Sequence, residues 1–291
     1  MNDLIDTHLH LWDPARLDYD WLSEVPDIAG RHWAEDWASL APPVSQTVWV
    51  QSTDNPAQAL TEAQMIAALT HPQLRIGGIV AYAPLEKGKA VAEDLAALKT
   101  VRQLRGIRRN VQHEPDGFTT SAAYLDGLTE VARTGLSIDI CARVHQMPEL
   151  IRALEMLFAR VPEAVVVLDH LGKPDIKTHQ GHIHGGDWAQ HLKTLSRFPN
   201  LHAKISGLTT EAHWTDWTEA HLIPYIHHAI ACFGPDRCLY GGDWPVVDLS
   251  GGYHRWLDVF DTATADLSRP DRAAIRSGTA RRVYRLTTAE A

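Results

Sequence analysis

Cysteine is scarce: Cys141, Cys232 and Cys238 are the only three in 291 residues, an odd number with no Cys-x-x-Cys spacing. That argues against a disulfide framework and a thiolate zinc site, and it fits reduced thiols in the cytoplasm. Long apolar runs are missing as well. No stretch approaches the roughly 18 consecutive apolar residues of a membrane span, and the opening Met1–Asp6 has neither the basic nor the apolar part of a secretory leader. No block of one sign accompanies the net charge of −9, so neither nucleic acid nor a membrane is an expected partner. A small neutral or weakly charged molecule is, and the oligomeric state is not legible. Linkers and low-complexity tracts are also absent, and 45% hydrophobic residues suffice for one large core. The expectation is a single cytoplasmic domain over residues 1–291.

What the chain does contain is a recurring unit, a short apolar run followed by a longer helical pattern. Eight such runs stand at 4–10, 47–51, 76–82, 106–110, 137–142, 165–169, 201–205 and 238–242, with alanine- and leucine-rich segments such as 56–69 and 90–104 between them. Eight βα units close a barrel, so the expected fold class is α/β, a (β/α)8 TIM barrel. In this fold catalytic groups come from the C-terminal strand ends. Those ends carry His8 and His10, Gln51, Arg108 and Asn110, Arg143 and His145, Asp169 and His170, Lys204 and Ser206, and Asp243. A ring of polar groups in an apolar barrel needs partners, because each unpaired buried group costs about 1–3 kcal/mol.

Asp6-Thr7-His8-Leu9-His10 is the sharpest local motif. Alternate side chains of a strand share a face, so His8 and His10 form a ready clamp for a divalent metal, or are two ordinary histidines of the 17 in the chain. Leu168-Asp169-His170-Leu171-Gly172-Lys173-Pro174 ends a strand in a turn. There His170 is either a third ligand or a neutral imidazole that hydrogen-bonds a substrate oxygen, and Asp169 can orient a neighbouring histidine. In Leu239-Tyr240-Gly241-Gly242-Asp243-Trp244-Pro245 the glycines allow close backbone approach and set Asp243 at the barrel mouth, as a ligand, a base or a turn residue.

Histidines on strands one and six with an aspartate on strand eight resemble the amidohydrolase superfamily. Gly106-Ile107-Arg108, the Asp169-His170 phrase, Asn200-Leu201-His202-Ala203-Lys204-Ile205-Ser206-Gly207-Leu208, and Phe233-Gly234-Pro235-Asp236-Arg237 running into Gly242-Asp243-Trp244-Pro245 resemble its sugar-lactonase branch, the L-fuconolactonase and L-rhamnonolactonase-like proteins. The resemblance implies hydrolysis of a sugar lactone, L-fuconolactone first. It implies a site with Asp243, His170 and Arg108 as catalytic groups, and His8, His10, His170 and Asp243 as ligands if one divalent metal, zinc, is bound. Whether the metal is needed stays open. Two-metal relatives carry a lysine on strand four where this chain has Arg108-Arg109-Asn110, which argues against two ions. His145 is the available counterpart of the relatives' strand-five histidine.

By strand alternation Arg108 and Asn110 face inward and Arg109 outward, while Lys204 and Ser206 face inward toward substrate hydroxyls. Trp12 through Tyr19 to Trp21 is too aromatic for a plain loop and reads either as a lid over a sugar ring or as a plug, and Trp244 can add a second aromatic face. The expected substrate contacts are Trp12, Tyr19, Gln51, Asn110, Lys204 and Trp244. A second His-x-His, His182 and His184 with His179 nearby, reads as a polar surface loop. Two other readings stand beside lactone hydrolysis: a metal-dependent decarboxylase or amide hydrolase on the same fold, and a sugar-binding barrel without catalysis.

Overall fold

All eight expected strands form and pair in chain order as one parallel sheet. The computed structural model describes residues 3–287, so Met1 and Asn2 of the opening segment lie outside the described residues. The strands are β1 Ile5–Leu9, β2 Gln46–Val50, β3 Ile76–Tyr82, β4 Leu104–Arg108, β5 Ser137–Ile140, β6 Val166–Leu168, β7 Leu201–Ile205 and β8 Cys238–Tyr240. The helices read at 56–69 and 90–104 are shorter, Ala59–Ala67 and Val91–Leu98, because Leu104 begins β4. Among the described residues no helix is long and apolar enough to cross a membrane, and the three cysteines are free.

Strand alternation divides the apolar side chains into two clusters. Trp49, Ile107, Ile138, Ile140, Leu168 and Ile205 face the surrounding helices. Ile5, Val48, Val80, Val167 and Leu239 gather inside with Val283, Tyr284 and Leu286 of the closing helical segment, which therefore stops the barrel floor.

The seam between β8 and β1 is closed just beyond the last strand. Leu9 bridges Trp244 in parallel, His10 N–H donates to Trp244 O at 2.8 Å, and Asp243 N–H donates to His8 O at 2.8 Å. Asp6 ties the two sides beneath. Its Oδ1 accepts from His8 N at 2.9 Å and Gly242 N at 2.8 Å, and its Oδ2 accepts from the Tyr253 hydroxyl at 2.9 Å. A Cβ on Gly242 would stand 2.4 Å from Asp6 Oδ2 and 2.1 Å from the Tyr253 ring, so only glycine fits there. Burial pushes the Asp6 carboxyl up to about 6.

Above the apolar floor lies a sealed charged layer. Lys204 Nζ is fully buried, 2.8 Å from Asp139 Oδ2 and 2.8 Å from Asp169 Oδ1. Asp139 also accepts from Ser137 Oγ at 3.1 Å and from the Tyr284 hydroxyl at 2.6 Å, so the C-terminal plug reaches the polar centre of the barrel. Removing one partner leaves a buried charge short of compensation, which costs more than the pair contributes.

The loop after β2 has its own anchor. Glu62, buried on helix Ala59–Ala67, accepts from Ser52 N at 3.3 Å and Thr53 N at 3.0 Å. Burial pushes its carboxyl from the usual 4.5 up to about 8.

Two stability measurements follow from these contacts. Tyr284→Phe removes a donor from a buried carboxylate and is expected to lower unfolding free energy by about 1–3 kcal/mol, read from urea melts followed by circular dichroism. Because the folded protein keeps the Glu62 proton that the unfolded chain releases, this group's contribution is full below about 4.5 and is lost as pH rises through about 8. Wild-type stability should therefore fall more steeply than that of Glu62→Gln between pH 5.5 and 8.5. Parallel slopes in the two proteins would show that Glu62 titrates no differently after folding.

Candidate active site

Polar strand ends converge on a cavity of about 360 Å³ at the C-terminal end of the barrel. His10, Gln51, Arg108, Asn110, His170 and Asp243 line it, as the strand positions predict. His8 lies just below with no exposed surface. Its Nε2 is 3.1 Å from His10 Nε2, and Asp243 Oδ1 is 3.6 Å from each of these nitrogens.

Hydrogen-bond chemistry assigns the protons. His10 Nδ1 faces Val50 O at 2.9 Å, and a carbonyl only accepts, so Nδ1 carries the proton and Nε2 presents a lone pair. Arg108 Nη1 lies 3.3 Å from His8 Nε2, and a guanidinium only donates, so His8 also presents a lone pair at Nε2. Its Nδ1 lies between two charges, 3.5 Å from Asp169 Oδ1 and 3.3 Å from Lys204 Nζ, and because the ammonium directs its hydrogens to the carboxylates of Asp139 and Asp169 at 2.8 Å, the Nδ1 proton faces Asp169. Burial is the main influence holding both imidazoles below their ordinary range, so both are neutral at pH 7. Two lone pairs and a carboxylate oxygen thus meet at one point, an arrangement that calls for a cation. Tetrahedral zinc with bonds near 2.0–2.1 Å sets its ligands about 3.3–3.4 Å apart, close to the separations here. Within the described residues two groups could hold a metal ion: His8, His10 and Asp243, and His8, Asp169 and His170.

Arg108 is held as well as aimed. Its Nη2 donates to Gln51 O at 2.8 Å, and its Nη1 lies 3.4 Å from Asp169 Oδ2. Burial opposes the charge on Asp169, but Lys204, His8 and Arg108 together hold its carboxyl well below the usual range. At Asp243 burial again opposes ionisation, yet the carboxyl lies below its usual range beside His170, His10 and His8.

His170 stands on an unusual backbone. It, Leu171, Gly172 and Lys173 have φ of +51°, +52°, +71° and +48°, a left-handed turn that costs three of the four residues steric strain. The turn directs the ring toward Ser206 Oγ, 2.9 Å from Nδ1, and burial lowers its pKa to about 4. A Cβ on Gly207 would sit 2.4 Å from His170 Nδ1 and 3.1 Å from Asp243 Oδ2, so this glycine leaves room for both groups.

Four of the expected substrate contacts lie elsewhere. Lys204 is sealed beneath the site by its two carboxylates and does not line the cavity. Trp12 and Tyr19 are buried in a satellite apolar cluster with Leu22 and Ile28, where the Trp12 indole donates to Gly30 O at 2.8 Å, so that half of the segment is the plug. Trp244 is buried, its ring packing against Trp37 and His32. Gln51 and Asn110 do line the cavity, and Gln51 Oε1 is buried there without a hydrogen-bond partner among the described residues. His145 is absent from the lining, which Cys141, one residue past β5, and Arg143 reach instead. Arg109 points outward to Glu86 at 2.9 Å. His182 and His184 are exposed and His179 half-buried, as a surface loop requires.

Other lining residues escaped the sequence reading of substrate contacts: Trp21, Glu24, Lys173, Glu211 and Trp214. Trp21 ended the aromatic segment, and Lys173 followed His170 in a motif already singled out. Glu211 and Trp214 lie in an irregular stretch after β7 that carries no periodic signal.

The amidohydrolase family profile matches residues 5–286. L-fucono-1,5-lactonase of Burkholderia multivorans is 28% identical over 97% of this chain and 96% of its own length. L-rhamnono-gamma-lactonase of Scheffersomyces stipitis is 25% identical over 64% of this chain and 62% of its own. A crystal structure of a Burkholderia multivorans amidohydrolase with bound zinc aligns with a TM-score of 0.84 at 26% identity, over 98% of this chain and 100% of that one. Matched along almost all of its barrel, this chain belongs to the amidohydrolase family.

Proposed function

We propose that the protein is a cytoplasmic sugar lactonase that opens L-fucono-1,5-lactone to the aldonate, in the service of L-fucose breakdown, at a site on the C-terminal strand ends of one domain. The observation that carries the reading is the charge arrangement of the cavity. Its cations are matched by carboxylates: Arg108 with Asp169 at 3.4 Å, Lys173 with Glu211 at 2.8 Å, and Arg143 with Glu211 at 3.8 Å. Glu24 and Asp54 line the same space with no ion-pair partner among the described residues. A neutral polyhydroxylated ring suits such a cavity, whereas a dicarboxylate would meet no free positive charge. The similarity to lactonases of neutral sugars agrees with this, and it favours lactone opening over decarboxylation of an aromatic acid.

His8, His10 and Asp243 would hold a divalent ion such as zinc. When bound, the ion would acidify water and polarise a carbonyl. Asp243, ionised beside the imidazoles, accepts a proton from the attacking water. The water oxygen bonds the carbonyl carbon, and Arg108 with neutral His170 stabilises the negative charge gathering on the carbonyl oxygen. Collapse breaks the bond to the ring oxygen, which takes the proton held by Asp243. Gln51 Oε1, unpartnered in the lining, accepts from a substrate hydroxyl, and Asn110 lies beside it.

Indicator-monitored acid release from L-fucono-1,5-lactone is expected for the wild type, with kcat about 10²–10⁴-fold lower in Asp243→Asn. Metal content measured before and after chelation divides the roles further. Turnover that persists in metal-free protein assigns the chemistry to Asp243, Arg108 and His170, while turnover restored only by zinc makes the ion obligatory. No acid release from L-fucono-, L-rhamnono- or other aldonolactones would sink the reading and put decarboxylation or amide hydrolysis first.

A further inference from the structure

Three features of the cavity wall formed by the loops after β6 and β7 go unused in the reaction just described. The first is the pair Lys173 and Glu211, whose Nζ and Oε1 are 2.8 Å apart with side chains only 15% and 14% exposed. An ion pair so far withdrawn from water gains little net stability, since desolvation offsets most of the attraction. The second is the backbone beneath it: Lys173 is the last residue of the left-handed turn, at φ +48°, a conformation that a lysine adopts only when its surroundings impose it. The third is Trp214, 43% exposed in a protein that buries most of its large apolar side chains. Its indole N–H donates to Thr210 O at 3.0 Å, which fixes the ring against the segment that carries Glu211.

The pair retains hydrogen-bonding capacity. Lys173 offers three N–H donors, of which Glu211 engages one, and Arg143 Nη1 lies 3.8 Å from Glu211 Oε2, too far for a hydrogen bond. Adjacent donors and acceptors held rigidly in a half-dry wall match two neighbouring hydroxyls, each of which both donates and accepts. An aromatic face beside them matches the apolar C–H face of the same ring. A carboxylate ligand would have to compete with Glu211 for Lys173, so hydroxyls are the better fit.

We infer that Lys173, Glu211 and Trp214 form a diol-reading wall that selects lactones bearing adjacent hydroxyls, and that these three residues determine specificity rather than supply the chemistry. The inference rests on the lactonase reading for its substrate but not for its geometry. Glu211→Gln and Trp214→Ala provide the test. The second alters a side chain that is largely in water, and thermal melts check that both variants fold. For each protein, kcat/KM is measured with L-fucono-1,5-lactone and with δ-valerolactone, the same ring without hydroxyls. Binding of 1,5-anhydro-L-fucitol, the cyclic polyol without the carbonyl, is measured by calorimetry.

The ratio of the two kcat/KM values should fall roughly tenfold or more in each variant, the loss of about one charge-assisted hydrogen bond or one aromatic contact, with the change mainly in KM. The Kd for the polyol should rise by a similar factor. Wherever lactones are turned over, the ratio decides. A pair that merely braces two loops would slow both substrates alike, and an unchanged ratio overturns the inference while leaving the lactonase reading intact. If no lactone is turned over, polyol binding decides. Weaker binding in the variants upholds the wall although the lactonase reading has failed, and equal or absent binding overturns both.

Discussion

Lys204 is the charge around which the barrel interior is organised. With no exposed surface, it can remain an ammonium only because Asp139 and Asp169 both lie at 2.8 Å, and Asp169 in turn relies on the lysine to stay ionised without water, while burial pushes the Asp139 carboxyl upward. Asp169 then faces His8 Nδ1 at 3.5 Å and Arg108 at 3.4 Å, so the orientation of one candidate ligand and one candidate oxyanion donor descends from the same pair. Below, Tyr284 satisfies Asp139 and ties the closing segment to this layer. The site is thus the upper surface of a polar column running from the plug to the cavity, and support from beneath keeps its side chains in place.

Much of the architecture was legible because buried parallel strands leave so strong an imprint. Val165-Val166-Val167-Leu168 is such a continuous apolar run, and the order of eight short runs prescribes the barrel. His8, His10, Arg108, His170 and Asp243 were legible for the same reason, since a strand end has one position in this fold. Alternation also gave the correct face for Lys204, but not its depth. Whether an inward side chain meets substrate or a neighbouring strand depends on its level in the barrel, and the acids at Asp139 and Asp169 decide that. Trp12 and Tyr19 misled for another reason, because an aromatic loop residue has the same sequence signature whether it covers a cavity or fills a satellite core. Glu211 and Trp214, on irregular backbone after β7, left no pattern to read.

The protonation pattern gives the imidazoles a different character from that of pH sensors. His8, His10 and His170 are all depressed by burial, and the carboxyls of Asp169 and Asp243 beside them are held below their usual range. The centre therefore presents fixed lone pairs and fixed donors, with Asp243 as the carboxylate proposed to accept the proton. Glu62 and Asp6, whose carboxyls burial pushes upward, stand outside this set, one anchoring a loop and the other the seam.

The seam carries a consequence for the chain's own synthesis. His8 and His10 leave the ribosome well before Asp243, whose backbone N–H closes the barrel on His8 O at 2.8 Å. No growing chain short of β8 can bring imidazoles and carboxylate together, however well its earlier strands have paired. Assembly of the candidate centre and closure of the barrel are thus one long-range event, with its loop-closure entropy met only once β8 and the turn after it have been made. A nascent or truncated chain accordingly has no reactive centre to expose in the cell.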